Sequence, residues 1–181
     1  EQVRAGAEIL DVNVGLPEID EAALMEEVVR ELQGVVDVPL QLDSSNPVVL
    51  ERGLRLYNGK PIVNSVNGEQ AVMEHIFPLV KKYGAAVVGL TLDENGIPGK
   101  AEDRFAIAER IVQTAEQYGI PREDVYIDCL TLTASVQQAE VRETLRAVEL
   151  VKNQLGVKTV LGVSNISFGL PEREILNVSF L

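Results

Sequence analysis

Apolar residues along this chain follow two alternating rhythms. Short, nearly continuous apolar runs occur six times: EILDVNV (8–14), PLQLD (39–43), PIVNSV (61–66), AAVVGLTLD (85–93), VYIDCLT (125–131) and TVLGVSN (159–165). They are rich in Val, Ile and Leu and show little alternation, as strands covered on both faces do. Between them lie longer segments with apolar residues three and four apart: 20–34, 46–57, 68–84, about 102–119 and 136–156. That spacing predicts amphipathic helices, and several of these segments close on a glycine suited to a helix C-terminus. Strand–helix repetition of this kind predicts an α/β protein with a parallel sheet. No low-complexity segment or linker interrupts the repetition, so residues 1–181 read as one domain.

An open doubly wound sheet usually carries a glycine-rich turn after its first strand. Here the first run leads into GLPEID, which has no such pattern. The polar residues that end the runs are more informative: Asp11 and Asn13, Asp43, Asn64, Asp93, Asp128 and Asn165. Asp and Asn often follow strands simply as helix N-caps. That every run carries one, several of them inside the apolar stretch, favours strand ends converging on one polar mouth, as in a closed parallel barrel. Residues 1–7 resemble the tail of a helix, and 172–181 stop within an amphipathic stretch. The expected fold is therefore a truncated TIM (β/α) barrel of six parallel strand–helix units. Its first and eighth strands are expected to be missing, the chain being part of a longer one.

Composition narrows the chemistry. A formal charge of −12 argues against nucleic acid and anionic membrane surfaces as partners. No apolar run approaches the roughly 18 residues of a membrane span. The single cysteine, Cys129, excludes an internal disulfide and fits a reducing, cytoplasmic setting. Next to Asp128 in a buried strand, it reads as an inert core thiol. His75, alone in its helix, reads as a packing or surface residue, and no metal-ligand cluster is apparent.

A mouth of carboxylates and carboxamides with almost no cations suits a neutral heterocycle presenting amide and amino N–H donors beside carbonyl and ring-nitrogen acceptors. A phosphate site would call for glycine-rich loops or Arg and Lys instead.

The strings DVNVG (11–15), LDSSNPVVLERGL (42–54), IVNSVNGE (62–69), YGAAVVGLTLDENGIP (83–98), YIDCLTLTAS (126–135) and TVLGVSNISFGLP (159–171) resemble the pterin-binding methyltransferase family. That family includes the folate domain of cobalamin-dependent methionine synthase and the methyltetrahydrofolate:corrinoid/iron–sulfur protein methyltransferases. The resemblance runs through the whole chain in order. It implies that Asp43, Asn64 and Asp128 hydrogen-bond the pterin ring and that Asn165 lies by the methylated nitrogen as the catalytic group. Ser164 precedes Asn165 in the same motif. Asp11 and Asn13 would line the floor of the site, and Arg173 matches a basic residue after the seventh strand. The implied activity is methyl transfer from methyltetrahydrofolate to a corrinoid, cob(I)alamin, held by a partner domain or protein.

Two alternatives stand beside this reading. One is a pterin-binding barrel fragment without turnover. The other is the sister activity, dihydropteroate synthase, which carries a serine–threonine–arginine–proline loop where this chain has NVGLPEID. That enzyme also carries a lysine after its seventh strand where this chain has SNIS. Those departures remove the cations that a pyrophosphate leaving group needs.

Overall fold

A computed structural model describes residues 1–181. Six strands, β1 (Leu10–Asn13), β2 (Leu40–Asp43), β3 (Ile62–Asn67), β4 (Ala86–Leu90), β5 (Val125–Asp128) and β6 (Lys158–Val160), alternate with six helices. The helices are α1 (Glu21–Gln33), α2 (Pro47–Leu56), α3 (Gln70–Tyr83), α4 (Ala101–Gln117), α5 (Gln138–Leu150) and α6 (Arg173–Phe180). All strand pairs are parallel, and the spatial order is the chain order, β1 to β6.

That order decides between the two architectures. In a doubly wound sheet the winding reverses and helices cover both faces. Here it never reverses, so successive crossovers of one hand leave their helices on one side. The main core bears this out: Val12, Leu42, Val63, Val87 and Ile127 from the strands join Met25, Leu50, Phe77, Ile111 and Ala147 from the helices. The opposite face holds only a small separate cluster of Ile62, Ala86 and Val88. It is the inner wall of a barrel. The sheet is not closed, and β1 and β6 form its two edges.

Local signals explain the elements. Asp20 caps α1 by accepting from the Ala23 N–H at 3.0 Å, and Asn46 caps α2 through the Val48 N–H at 3.0 Å, with Pro47 at the first helical position. α3 ends at Gly84, whose φ of 64° is the left-handed conformation a C-terminal glycine supplies without steric cost. Fully buried Leu50, Val49 and Leu54 seat α2, each contributing about 1.5–3 kcal/mol by leaving water. Helix α4 approaches β4 so closely that a Cβ on Gly89 would lie 2.8 Å from Ile111 Cγ2.

Three boundaries differ from expectation. The start is a short 3-10 turn at Val3–Ala5. α5 runs into a wider π turn at Val151–Leu155 before Gly156. The last apolar run makes a strand only to Val160; Val163–Ser167 form a 3-10 turn, so Asn165 is not at a strand end. GVSN is short of β-branched side chains, and its residues form turn hydrogen bonds (Asn165 N–H to Gly162 carbonyl, 3.1 Å) in place of ladder bonds. No helix is long and apolar enough to cross a membrane.

Candidate functional site

Strand register places the polar residues in tiers on the uncovered face, because paired residues of neighbouring parallel strands point the same way. The lowest tier pairs Asp11 with Gln41, then Ile62 and Ala86. Above it Asn13 pairs with Asp43, Asp43 with Asn64 and Asn64 with Val88. Three adjacent strands thus contribute a carboxamide, a carboxylate and a carboxamide in one row. Register then shifts between Asn64 and Val66, so that Asn67 pairs with Leu90, Leu90 with Asp128 and Asp128 with Val160. Asp128 therefore stands one tier nearer the strand ends than Asn64.

The row is wired. Asn13 Nδ2 donates to Asp43 Oδ2 at 2.9 Å, and Gln41 Nε2 donates to Asp11 Oδ1 at 2.6 Å. Ser44, next to Asp43, donates to Glu21 Oε1 at 2.7 Å and accepts from the Asn46 N–H. Burial pushes the Asp43 carboxyl above its ordinary pKa; the Asn13 bond opposes that rise, and the charges of Asp11 and Glu21 add to it. Burial likewise raises Asp128, opposed by the Leu130 N–H, which donates to Asp128 Oδ1 at 2.7 Å. Leu130 has a φ of 61°, a conformation that costs a residue with a Cβ about 1–2 kcal/mol. It turns the chain so that the N–H meets the carboxylate.

The other expected residues lie around this row. Asn165 is exposed in the turn after β6, and no side-chain hydrogen bond within the chain engages its amide. Ser164 is exposed, and its carbonyl accepts from Arg173 Nη2 at 3.0 Å. Arg173 Nε also donates to Ser167 Oγ at 3.1 Å, so this arginine fastens the 3-10 turn to the start of α6. The turn touches the β5 loop where the Ala134 N–H donates to the Ile166 carbonyl at 3.0 Å. Asp93 does not join the tiers. It lies three residues beyond β4, pairs with Gly96, accepts from the Asn95 N–H and meets Arg110 at 3.4 Å. His75 is exposed and bonds the Ala71 carbonyl of its own helix. Cys129 is buried, its thiol pushed up to about 12 by burial, and so inert.

Two residues of this region escape a reading of the sequence. Asn67 reaches the same face as Asn64 only because of the register shift, and its carboxamide is clamped to Glu69 by bonds of 2.9 Å in each direction. Its one signal was the repeated asparagine of IVNSVNGE. Arg104, fully buried in the first turn of α4, reads in the string AEDRF as an ordinary surface charge.

The assembled face offers carboxylate and carboxamide acceptors, carboxamide donors and one cation. That cation, Lys158, is turned to the Glu123 carbonyl at 3.1 Å and over the Tyr126 ring at 5.0 Å. Such a surface suits a flat, neutral ring with N–H groups on its edge.

Comparison with known proteins points the same way. The sequence matches the family described as pterin binding enzyme over residues 1–181. It is 38% identical over 194 residues to the methionine synthase of Mycobacterium leprae, covering all of this chain and 16% of that protein. The Mycobacterium tuberculosis methionine synthase gives the same figures. The chain thus spans about a sixth of the length of these relatives. The methylcorrinoid:tetrahydrofolate methyltransferase of Eubacterium limosum is 30% identical over 186 residues, covering 99% of this chain and 68% of that one. Among solved structures, dihydropteroate synthase from Xanthomonas albilineans aligns with a TM-score of 0.73 at 19% identity, covering 98% of this chain and 69% of that one. The Thermus thermophilus dihydropteroate synthase aligns at 0.69 with 24% identity, covering 98% and 72%. At these identities the two structures speak for the fold alone.

Proposed function

Because the chain belongs to the pterin-binding enzymes, we propose that residues 1–181 are one pterin-binding unit of barrel type that takes part in methyl transfer between methyltetrahydrofolate and a corrinoid. In this reading the chain is a folate domain of methionine synthase type, part of a longer protein, working in the cytoplasm. The observation that carries it is the row Asn13, Asp43, Asn64, with Asp128 one tier above, on the uncovered sheet face.

Asp43 and Asp128 accept N–H bonds from the aminopyrimidinone edge, and Asn64 matches a carbonyl beside an N–H. Asn13 keeps Asp43 turned inward, and Asp11 with Gln41 forms the floor. The corrinoid, held by a partner domain or protein, supplies the nucleophile. The chain's own task concerns the leaving group. As the bond between methyl carbon and pterin nitrogen breaks, that nitrogen keeps the electron pair and must be met by a proton or a strong hydrogen bond. Asn165, whose amide is uncommitted, serves there with water as proton source, and Ser164 and Arg173 shape the turn that carries it.

The name of the Eubacterium limosum relative has the methyl group running from corrinoid to folate. A site complementary to the shared transition state serves both directions, so the supply of methylated carrier sets the flow. The experiment is a titration of the full protein with 5-methyltetrahydrofolate beside a stopped-flow assay with cob(I)alamin. Saturable binding weakened by Asp43→Ala, together with methyl transfer, is the expected result. Binding without transfer would reduce the chain to a pterin-binding unit.

A further inference from the structure

Arg104 is the largest side chain that is wholly buried in the protein, and no carboxylate forms an ion pair with it. A buried guanidinium is expensive unless its N–H groups are used. Nη2 has no partner, and the bonds of Nη1 and Nε converge on one place. Nη1 donates to the carbonyls of Cys129 at 2.9 Å and Leu130 at 3.0 Å, and to Thr144 Oγ1 at 2.8 Å; Nε donates to the Pro98 carbonyl at 2.7 Å. One side chain thus ties the β4–α4 loop, the end of β5 and the second turn of α5 together. Thr144 completes the arrangement: its hydroxyl also lies 3.1 Å from the Leu130 carbonyl. Glu143 joins from α5, accepting the Ala101 N–H at the start of α4 at 2.8 Å.

The two carbonyls held by Arg104 belong to the residues immediately after Asp128. Leu130 is the one with positive φ, and its N–H donates to the Asp128 carboxylate. Holding the Leu130 carbonyl from behind fixes that residue in a conformation leucine seldom adopts, and so fixes the N–H that orients Asp128. Arg104 makes no bond to the Asp128 carboxylate and holds the carbonyls that follow it, so its influence on Asp128 runs through peptide geometry.

We propose that Arg104, assisted by Thr144, is a positioning residue for the pterin site, setting the rotamer of Asp128 through the Leu130 peptide. This rests on the reading of Asp128 as a pterin ligand. A packing role alone would lower stability and leave recognition by Asp128 intact.

The test is a double-mutant cycle in the full protein, with 5-methyltetrahydrofolate as the titrant and a thermal melt for every variant. Arg104→Met should weaken binding about 10-fold, the scale of losing one hydrogen bond to a charged group. In an Asp128→Ala background the same change should add less than about 2-fold, since residues acting as one unit are not additive. Thr144→Val should follow the same pattern with a smaller loss, and Thr144→Ser should restore parent affinity. Should Arg104→Met fail to fold, the Thr144 pair decides. Equal losses with and without Asp128, or a lowered melting temperature with unchanged affinity, would overturn the positioning role alone. If Asp128→Ala itself binds like the parent, the pterin-site reading falls and takes this inference with it.

Discussion

Asn13 and Asp43 face each other across the first two strands in direct register, and the Asn13 amide donates to the Asp43 carboxylate at 2.9 Å. The bond is the main force holding down a carboxyl that burial and two neighbouring carboxylates push up. Asn13→Ala should therefore raise the Asp43 pKa further, and the acid limb of folate binding should move to higher pH. Carbon-detected titration of the Asp43 carboxyl, parent against variant, measures this; an unchanged titration would show that Asn13 does not govern Asp43.

Asp128→Ala should leave pterin N–H groups unpaired in the site. Losing a hydrogen bond to a charged group costs about 1.5–3 kcal/mol, or roughly 10- to 150-fold in dissociation constant. Calorimetric titration with 5-methyltetrahydrofolate reads the change directly, and equal affinities would remove Asp128 from recognition.

The same carboxyl gives a stability prediction of opposite sense. Its folded-state pKa lies above the unfolded value, so near and above pH ~4 the folded chain retains a proton that the unfolded chain has released. The neutral form's contribution is fully present below the unfolded pKa and lost as pH rises through the folded one. Asp128→Asn keeps an acceptor for the Leu130 N–H without the buried charge. Its melting temperature should equal or exceed the parent's at pH 7, and the gap should close toward pH 4. A variant less stable at pH 7 than at pH 4, relative to the parent, would contradict the burial account.

Asn165→Ala separates chemistry from structure. The Asn165 amide is uncommitted within the chain, so the melting temperature should change by no more than an ordinary surface substitution, within about 0.5 kcal/mol. If the side chain serves the departing nitrogen, single-turnover methyl transfer should fall about 10²–10³-fold, with a smaller effect on affinity. A near-normal rate would end the catalytic assignment.

Gly89→Ala tests the close approach of α4 to β4. The added methyl would sit 2.8 Å from Ile111 Cγ2 and 3.2 Å from Ile127 Cδ1, inside fully buried surroundings. Overpacking of this kind costs about 1–3 kcal/mol; a companion Ile111→Val, which removes the Cδ1 that would lie 3.3 Å away but keeps Cγ2, should recover only a small part of it. Denaturant melts of the single and double variants report the outcome.

The strand–helix alternation, and the uncovered polar face that follows from it, were legible because each rests on local rules: β-branched runs, three-and-four spacing, and side chains alternating along a strand. Asp43 and Asn64 could be placed together since one lies at a strand end and the other within the next strand. What was not legible depends on register and on turns. Asn67 reaches the inner face through a slip that shows only when β3 meets β4. The shortening of β6 moved Asn165 from a strand end to a turn. Arg104 sits amid Glu102, Asp103 and Glu109, which are exposed, and nothing in that string marks it as the one charge turned inward. Its partners are carbonyl groups, which every residue has.

Strand order equal to chain order also bears on how the protein is made. From β2 onward each strand pairs with the one synthesised just before it, so every new unit adds to a sheet edge already present. Assembly can track the ribosome from β1 onward. The tier containing Asp128 is the late part of that sequence. The Leu130 carbonyl there is gripped only after α5 has emerged and Thr144 has met the buried arginine, so that turn is secured after the strand that carries it.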